Sequence, residues 1–489
     1  MLTPDIEQIK TLSAGANVVP VCRAILADTE TPVSVWLKLF ASSRHSFLLE
    51  SVTGGDTVAR YSFIGGDPFL TFRANGRSWE TDGALSERGD GAPIERLRSL
   101  LSRYRPARVP GIPRFSGGAV GYCAYDSIRL WENIADKNPK QDPLDDVFFA
   151  FYRTIIAFDN REHRLLLITN LFLDETPDIE AAYHDAARTL GRLEDSLAAR
   201  LPSSSLSIGT AGPVTSNFDR AAFERAVERC KQYIAAGDVF QVVLSQRFSV
   251  EVQANPFDLY RILRTVNPSP YMFYLACGTA SVIGASPEML ARVEGRRLEV
   301  RPIAGTRRRG ATEREDEELE RELLSDPKER AEHIMLVDLG RNDIGRVCAY
   351  GSVKVEEMMH IERYSHVMHI VSNISGDLRD GFDAFDALYS CFPAGTLSGA
   401  PKIRAMEIID ELEPVRRGIY GGALGYIDFS GNLDSCIVIR TIVYKDGTAT
   451  IQAGAGIVAD SVPSAEYDET VNKAKALLTA IQEAAKVIG

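Results

Sequence analysis

The chain has 489 residues, 45% hydrophobic and 25% charged, an ordinary globular composition with enough apolar side chains for a sizeable core. Its formal net charge of −12 argues against nucleic acid as a partner, because phosphate binding needs clustered cations. There is no apolar run long enough to span a membrane and no basic-then-apolar start, and the seven cysteines form no CxxC pair, so a cytoplasmic chain with reduced thiols is expected.

Taken in chain order, a first region, residues 18–200, mixes short strands and turns. Residues 47–51 and 61–65 read as strands, and Gly117, Gly118 and Gly121 mark a stretch where backbones approach closely. Residues 155–158 and 165–169 flank Asp159-Asn160-Arg161-Glu162 as a hairpin, and a helix is expected over 178–200. The Ser/Gly/Pro-rich stretch 201–213 reads as a linker into a second region, 214–487. There Phe223, Val227, Cys230 and Ile234 recur at helical spacing, with Gly237 placed to end the helix. Residues 239–250 alternate like a strand. Arg307-Arg308-Arg309, followed by Glu313, Glu315 and Asp316, reads as an exposed loop entering a helix over 315–324. Further helices are expected at 327–340, 383–391, 400–412 and 464–487, with strands between them and no regular βαβ repeat, so the fold class is α+β.

Two acidic pairs sit on the expected helices, Glu329 with Glu332 and Glu466 with Glu469. A spacing of three places both carboxylates of a pair on one helical face. Turned inward, such pairs need a cation between them or a proton, and clustered carboxylates suit a hard divalent ion such as Mg²⁺. The same residues also fit a plain helix start, with Asp326 as N-cap, Pro327 in the first turn and Glu329 closing a capping box. Arg440 is expected on an apolar strand, where it needs an anionic partner, either a protein carboxylate or a ligand. His369 alternates with Val367 and Val371 along a strand, which suits a core histidine or a site residue. Lys473 is spaced to pair with Glu469 or to face the carboxylates.

The second region is dense with ordered strings: 237–247 (Gly-Asp-Val-Phe-Gln-Val-Val), 267–272 (Asn-Pro-Ser-Pro-Tyr-Met), Ser286-Pro287-Glu288, 301–307 (Arg-Pro-Ile-Ala-Gly-Thr-Arg), 332–343, 392–402 and Gly454-Ala455-Gly456. Together they closely resemble the chorismate-utilising enzymes and, within them, the anthranilate synthase component I branch, over nearly the whole chain. The resemblance implies two large, mostly antiparallel sheets packed face to face with helices outside. It implies that Mg²⁺ on the ring carboxylate of chorismate is held by Glu332 and Glu469 with Glu466 beside them. Glu329 is then the general acid, expected to be protonated through burial among acidic neighbours. His369 assists the aromatising elimination, and Thr396 joins the catalytic group. Gly305, Thr306, Tyr420, Arg440, Gly454, Ala455, Gly456 and Lys473 would contact chorismate. His366 and His333 carry no such expectation.

Two positions separate the branches. Aminodeoxychorismate synthases typically carry a nucleophilic lysine where this chain has Ala304, and an alanine cannot attack C2, so ammonia must do so directly. Isochorismate and salicylate synthases use a lysine to activate water near the position of Gln241. The resemblance therefore favours anthranilate formation, with aminodeoxychorismate synthesis or a non-catalytic chorismate or tryptophan sensor as alternatives. No Gly-x-Cys-x-Gly glutaminase string is present, which implies ammonia from a separate glutamine amidotransferase subunit. The first region looks regulatory. Glu50 and Ser51 resemble part of a tryptophan-binding feedback site that Pro270, Tyr271, Met272 and Tyr426 would complete.

Overall fold

The computed structural model describes residues 2–51, 60–141, 144–201, 206, 208–364 and 367–487. Linker residues 202–205 and 207, together with His366, lie outside the described residues. Two 12-stranded sheets dominate, and every strand pairing in both ladders is antiparallel. The first runs from Val18–Leu26 through Arg164–Phe172, Thr154–Asp159, Tyr61–Gly66 and His45–Glu50. It continues through Tyr271–Cys277, Ala280–Ser286, Thr441–Lys445, Thr448–Ile457 and Gln241–Glu251. The second begins at Ile303–Arg308 and passes through Val367–Asp377, Arg297–Val300, Met289–Glu294, Leu433–Ile437 and Ala423–Asp428. It then takes in Gly118–Cys123, Val147–Tyr152 and Leu70–Asn75.

Both sheets thus draw strands from both sides of the 201–213 stretch. In the first, His45–Glu50 pairs with Tyr271–Cys277, so that Glu50 faces Met272 and Leu49 faces Phe273. In the second, Gly118–Cys123 pairs with Ala423–Asp428.

Strand periodicity of two sorts the side chains into layers. Phe273 and Leu275 point into a core between the sheets with Phe47, Val282, Tyr122, Phe148 and Leu424. Met272 and Tyr274 point the other way, into a layer shared with Trp36, Leu190, Tyr260 and Leu477 from the helices outside the first sheet. The far face of the second sheet packs Phe72, Val293 and Ile374 against Leu97, Val337 and Leu388 of its own helices. The result is the expected α/β/β/α sandwich. Strands covered on both faces are apolar along their whole length, as in Val147–Tyr152 and Gly118–Cys123, where every residue is buried.

The local expectations hold for most elements. The helix Arg220–Ala235 ends at Ala236 with Gly237 at φ +84°. The acidic pairs lie on Pro327–Gly345 and Pro463–Val487. Three expectations change. Arg440 is not on a strand; it occupies the crossover between Leu433–Ile437 of one sheet and Thr441–Lys445 of the other, at φ +50°. Arg307 and Arg308 end the strand Ile303–Arg308 instead of lying in a loop, because that strand pairs with Val367–Asp377. Asp326 does cap its helix, accepting from the Lys328 and Glu329 N–H groups, but the Glu329 carboxylate turns to Arg307 at 3.1 Å and closes no capping box. All seven cysteines are unpaired thiols, and no described helix is long and apolar enough to cross a membrane.

Candidate active site

A cavity of about 680 Å³ opens where the ends of the two sheets meet the acidic helices. Glu329, Glu332 and Leu336 enter it from Pro327–Gly345, and Glu466, Glu469 and Lys473 from Pro463–Val487. Two pairs of carboxylates, more than a hundred residues apart in sequence, therefore share one wall. Burial, followed by the neighbouring Glu329, pulls the Glu332 carboxyl upward from its ordinary range, and Glu469 adds to this. Burial also raises Glu466, with Glu469 again adding to it. Glu469 is paired with Lys473 at 2.6 Å, and the same ammonium donates to the Gly454 carbonyl at 3.0 Å. Among the described residues, no three His, Cys, Asp or Glu side chains are close enough to form a metal cage by themselves. The donor set nonetheless fits a hard cation: it is all oxygen, half-buried and mutually repelling, and Mg²⁺ commonly completes its sphere with water and substrate oxygens.

The opposite end of the cavity carries a cation. Arg440 lines it, and among the described residues no carboxylate forms an ion pair with this guanidinium. Burial holds the Arg440 pKa below its ordinary value. Tyr420 is 7% exposed and its hydroxyl lies against Gly454. A Cβ at residue 454 would stand 2.8 Å from that hydroxyl and 2.9 Å from the Leu244 carbonyl, so only glycine lets this strand approach so closely. Thr306, Gly454 and Gly456 line the cavity as expected. Gly305 and Ala455 do not contribute to its lining: Ala455 points into an apolar cluster with Leu244 and Ile408 behind the sheet.

Between the two ends sit three groups suited to proton transfer or nucleophile placement. His369, with Val367, faces the cavity, while Met368 and Ile370 pack against Leu323 on the other side of the strand. Its Nδ1 lies 3.0 Å from the Gly305 carbonyl. A carbonyl only accepts, whereas the Thr306 hydroxyl, also 3.0 Å from Nδ1, can donate or accept; with the proton on Nδ1, Nε2 is the free base. Burial lowers the His369 pKa, which keeps the ring neutral. Glu288 lies in the Ser286-Pro287-Glu288 corner and is 7% exposed. Burial pushes its carboxyl up to about 8, although the Thr396 hydroxyl donates to it at 3.3 Å. Gln241 is 5% exposed, and no described donor reaches its Oε1.

The family profile described as chorismate binding enzyme matches residues 44–479. The chain belongs to that family. It is 51% identical to the anthranilate synthase component 1 of Acetivibrio thermocellus, with 100% of each chain covered. It is 48% identical to that of Aquifex aeolicus, with 98% of each covered. Among solved structures it is similar to the anthranilate synthase component I of Streptococcus pneumoniae, with a TM-score of 0.79 and 37% identity over 93% of this chain and 98% of that one. The menaquinone-specific isochorismate synthase MenF of Escherichia coli shares the fold, with a TM-score of 0.70, 20% identity and coverage of 98% and 99%. The protein is accordingly a chorismate-utilising enzyme.

Glu329 faces the cavity as expected, and its carboxylate accepts from the Arg307 guanidinium at 3.1 Å. Glu288 also lines the cavity, and the sequence signal for it was the Ser286-Pro287-Glu288 string.

The residues of the expected feedback site are spread over both sheets: Glu50, Tyr271 and Met272 lie on strands of the first, with Ser51 and Pro270 just beyond strand ends, and Tyr426 lies on a strand of the second. Glu50 and Met272 face the outer helices, where Glu50 accepts from Arg264 at 3.0 and 3.2 Å and from the Tyr260 hydroxyl. Tyr271 turns inward and donates to Asp434 at 3.0 Å, and Tyr426 stacks on Phe115 with ring centroids 4.1 Å apart. Pro270 and Tyr271 line a second cavity of about 230 Å³ with Arg292, Arg301 and Tyr364. Ser51 is the last described residue before 52–59.

Proposed function

We propose that this chain is the large subunit of an anthranilate synthase, converting chorismate and ammonia to anthranilate and pyruvate. The observation that carries the reading is Ala304, whose methyl stands in the cavity wall where the lysine-dependent branch needs a nucleophile. With no nucleophile at residue 304, ammonia itself must attack C2 from within the cavity, and the unpartnered Gln241 Oε1 supplies an acceptor for one of its N–H groups.

In this reading Arg440 and the Tyr420 hydroxyl receive the enolpyruvyl carboxylate of chorismate, and the ring carboxylate faces the acidic helices. Glu332, Glu466 and Glu469 would hold Mg²⁺, which supplies charge neutralisation and polarises the carboxylate. Ammonia forms the C2–N bond, the ring double bonds shift, and the C4–O bond breaks. Glu288 gives its proton to the departing hydroxyl, which leaves as water. The proton lost from the new C2 ammonium restores the Glu288 carboxyl. The Nε2 atom of His369 then takes the C2 proton as the C3–O bond breaks, leaving the aromatic ring, and that proton passes to the methylene carbon of the departing enolpyruvate to give pyruvate.

A partner amidotransferase would feed the ammonia from glutamine, and tryptophan would inhibit through the region of Ser51 and Tyr271. The deciding experiment is fluorescence of anthranilate from purified chain, chorismate, Mg²⁺ and ammonium at alkaline pH. Anthranilate formation with ammonium, and none with glutamine until the partner is added, is the expected result. Absence of any amine product from active, folded chain would remove the reading. For the effector site, Ser51→Phe should keep activity and lose tryptophan inhibition; unchanged inhibition would discard that part.

A further inference from the structure

Behind the anion-binding wall lies a polar cluster that the reaction above does not use. Glu413 and Arg417 form an ion pair whose side chains are 3% and 1% exposed. Arg417 Nε donates to Glu413 Oε2 at 2.9 Å and Nη2 to Oε1 at 2.6 Å. The rest of the guanidinium fork reaches backbone: Nη1 donates to the Leu397 carbonyl at 2.6 Å and Nη2 to the Val243 carbonyl at 2.7 Å. Glu413 Oε1 also accepts from the Ser245 N–H and hydroxyl, each at 2.8 Å. The guanidinium sits 4.8 Å from the Tyr125 ring centroid and 5.7 Å from that of Tyr420.

The ties from Arg417 end mostly on the backbone or ring of cavity-lining residues. Val243, Leu397 and Tyr420 line it themselves. Leu397 follows Thr396, and Ser245 faces Gly454 across the ladder. These segments come from a strand, a short turn and the run into Tyr420, which no single ladder joins. A planar fork with fixed donors can span several acceptors at set angles, whereas a lysine offers one compact charge and an apolar side chain offers none.

We propose that the buried Glu413–Arg417 pair is a positioning element for chorismate, setting Tyr420, Gly454 and Thr396 at fixed separations so that the enolpyruvyl carboxylate meets preformed contacts. The proposal rests on the reading of this cavity as the chorismate site. It assigns the pair to substrate placement in addition to core stability, and so makes a kinetic claim.

The test is steady-state kinetics of Arg417→Lys and Ser245→Ala, with chorismate varied at saturating ammonia and ammonia varied at saturating chorismate. Circular dichroism and thermal melting confirm that each protein is folded. Loss of the charged hydrogen bonds to backbone in Arg417→Lys should raise the chorismate KM about tenfold or more. Ser245→Ala keeps the ion pair and removes a hydroxyl that donates to Glu413 and accepts from Gln452 Nε2, each at 2.8 Å; it should raise the chorismate KM about threefold. The ammonia KM should stay within about twofold in both, since a merely weakened core would not separate the two substrates. Folded variants with unmoved chorismate KM overturn the proposal. Should Arg417→Lys not accumulate as folded protein, Ser245→Ala decides alone, and an unchanged KM there overturns it. A parent chain that makes no anthranilate removes the cavity reading and the proposal together, whereas an active parent with unmoved variants removes the proposal only.

Discussion

Glu288 is a carboxyl whose solvation was traded for a proton. Its pKa is pushed from 4.5 to about 8 by burial, so it holds a proton at neutral pH in the folded chain but not in the unfolded one. Below pH 4.5 both states keep that proton. As pH rises from there towards 8, only the folded state does, and the contribution of this group to stability is lost progressively across that window. Glu288→Gln removes the slope, so its melting temperature relative to the parent should climb over the same range. The same substitution should lower kcat by about a hundredfold or more if the residue is the general acid. Corrected for the fraction of ammonia present as NH₃, parent turnover should fall as pH rises through about 8. For His369, replacement by Met should let 2-amino-4-deoxyisochorismate accumulate, detectable by liquid chromatography; anthranilate alone at the parent rate would refute the role. At this scale the sequence was a partial guide. The glutamates, Arg440 and His369 were legible from their strings, but the strings say nothing of desolvation. That Glu288 is the one pushed up to about 8 depends on its burial, which is set by segments distant in the chain.

Elements tell a similar story with a different limit. Helices and strands were readable because their apolar spacing is local, as in Arg220–Ala235. Arg440 was misassigned because the run Cys436 to Ile439 is apolar, and apolarity does not reveal that the chain leaves one sheet for the other there. That crossover is what points the guanidinium into the cavity. The two acidic helices carry the proposed Mg²⁺ ligands. Adding Mg²⁺ at about a hundredfold over its Kd should stabilise the parent by about 2.7 kcal/mol in thermal melts, and Glu332→Gln should lose most of that shift. An equal shift in the variant would exclude Glu332 from the metal site, whatever its activity. The seam in the second sheet gives an independent check on packing. A Cβ at Gly121 would lie 1.9 Å from the Phe148 carbonyl, and one at Gly425 would lie 2.0 Å from the Asp434 carbonyl. Gly425→Ala should therefore cost about 3 kcal/mol or prevent folding, measurable by urea unfolding.

For the whole molecule, sequence reading finds two regions and the structure finds two sheets, and the divisions do not coincide. Composition marks 201–213 as a linker, but strand partners are chosen by complementary edges far apart in sequence, which no local pattern records. Each sheet would be left with an open, apolar edge if either region were removed. Residues 1–213 expressed without the remainder should aggregate, and co-expression of 1–213 with 214–489 should recover soluble, associated chains on gel filtration. Recovery of either piece as a folded monomer would contradict this.

The same interleaving bears on how news of a bound effector would travel. Met272 is held to Glu50 by the seam of the first sheet, and Pro270, two positions earlier on the same chain, forms part of the substrate cavity wall. At about 3.3 Å per extended residue, the distance is about 7 Å. Nothing resembling a hinge intervenes, so a tug on the ladder at Glu50 reaches the reaction chamber as a displacement of covalently linked backbone, without relaying through side chains.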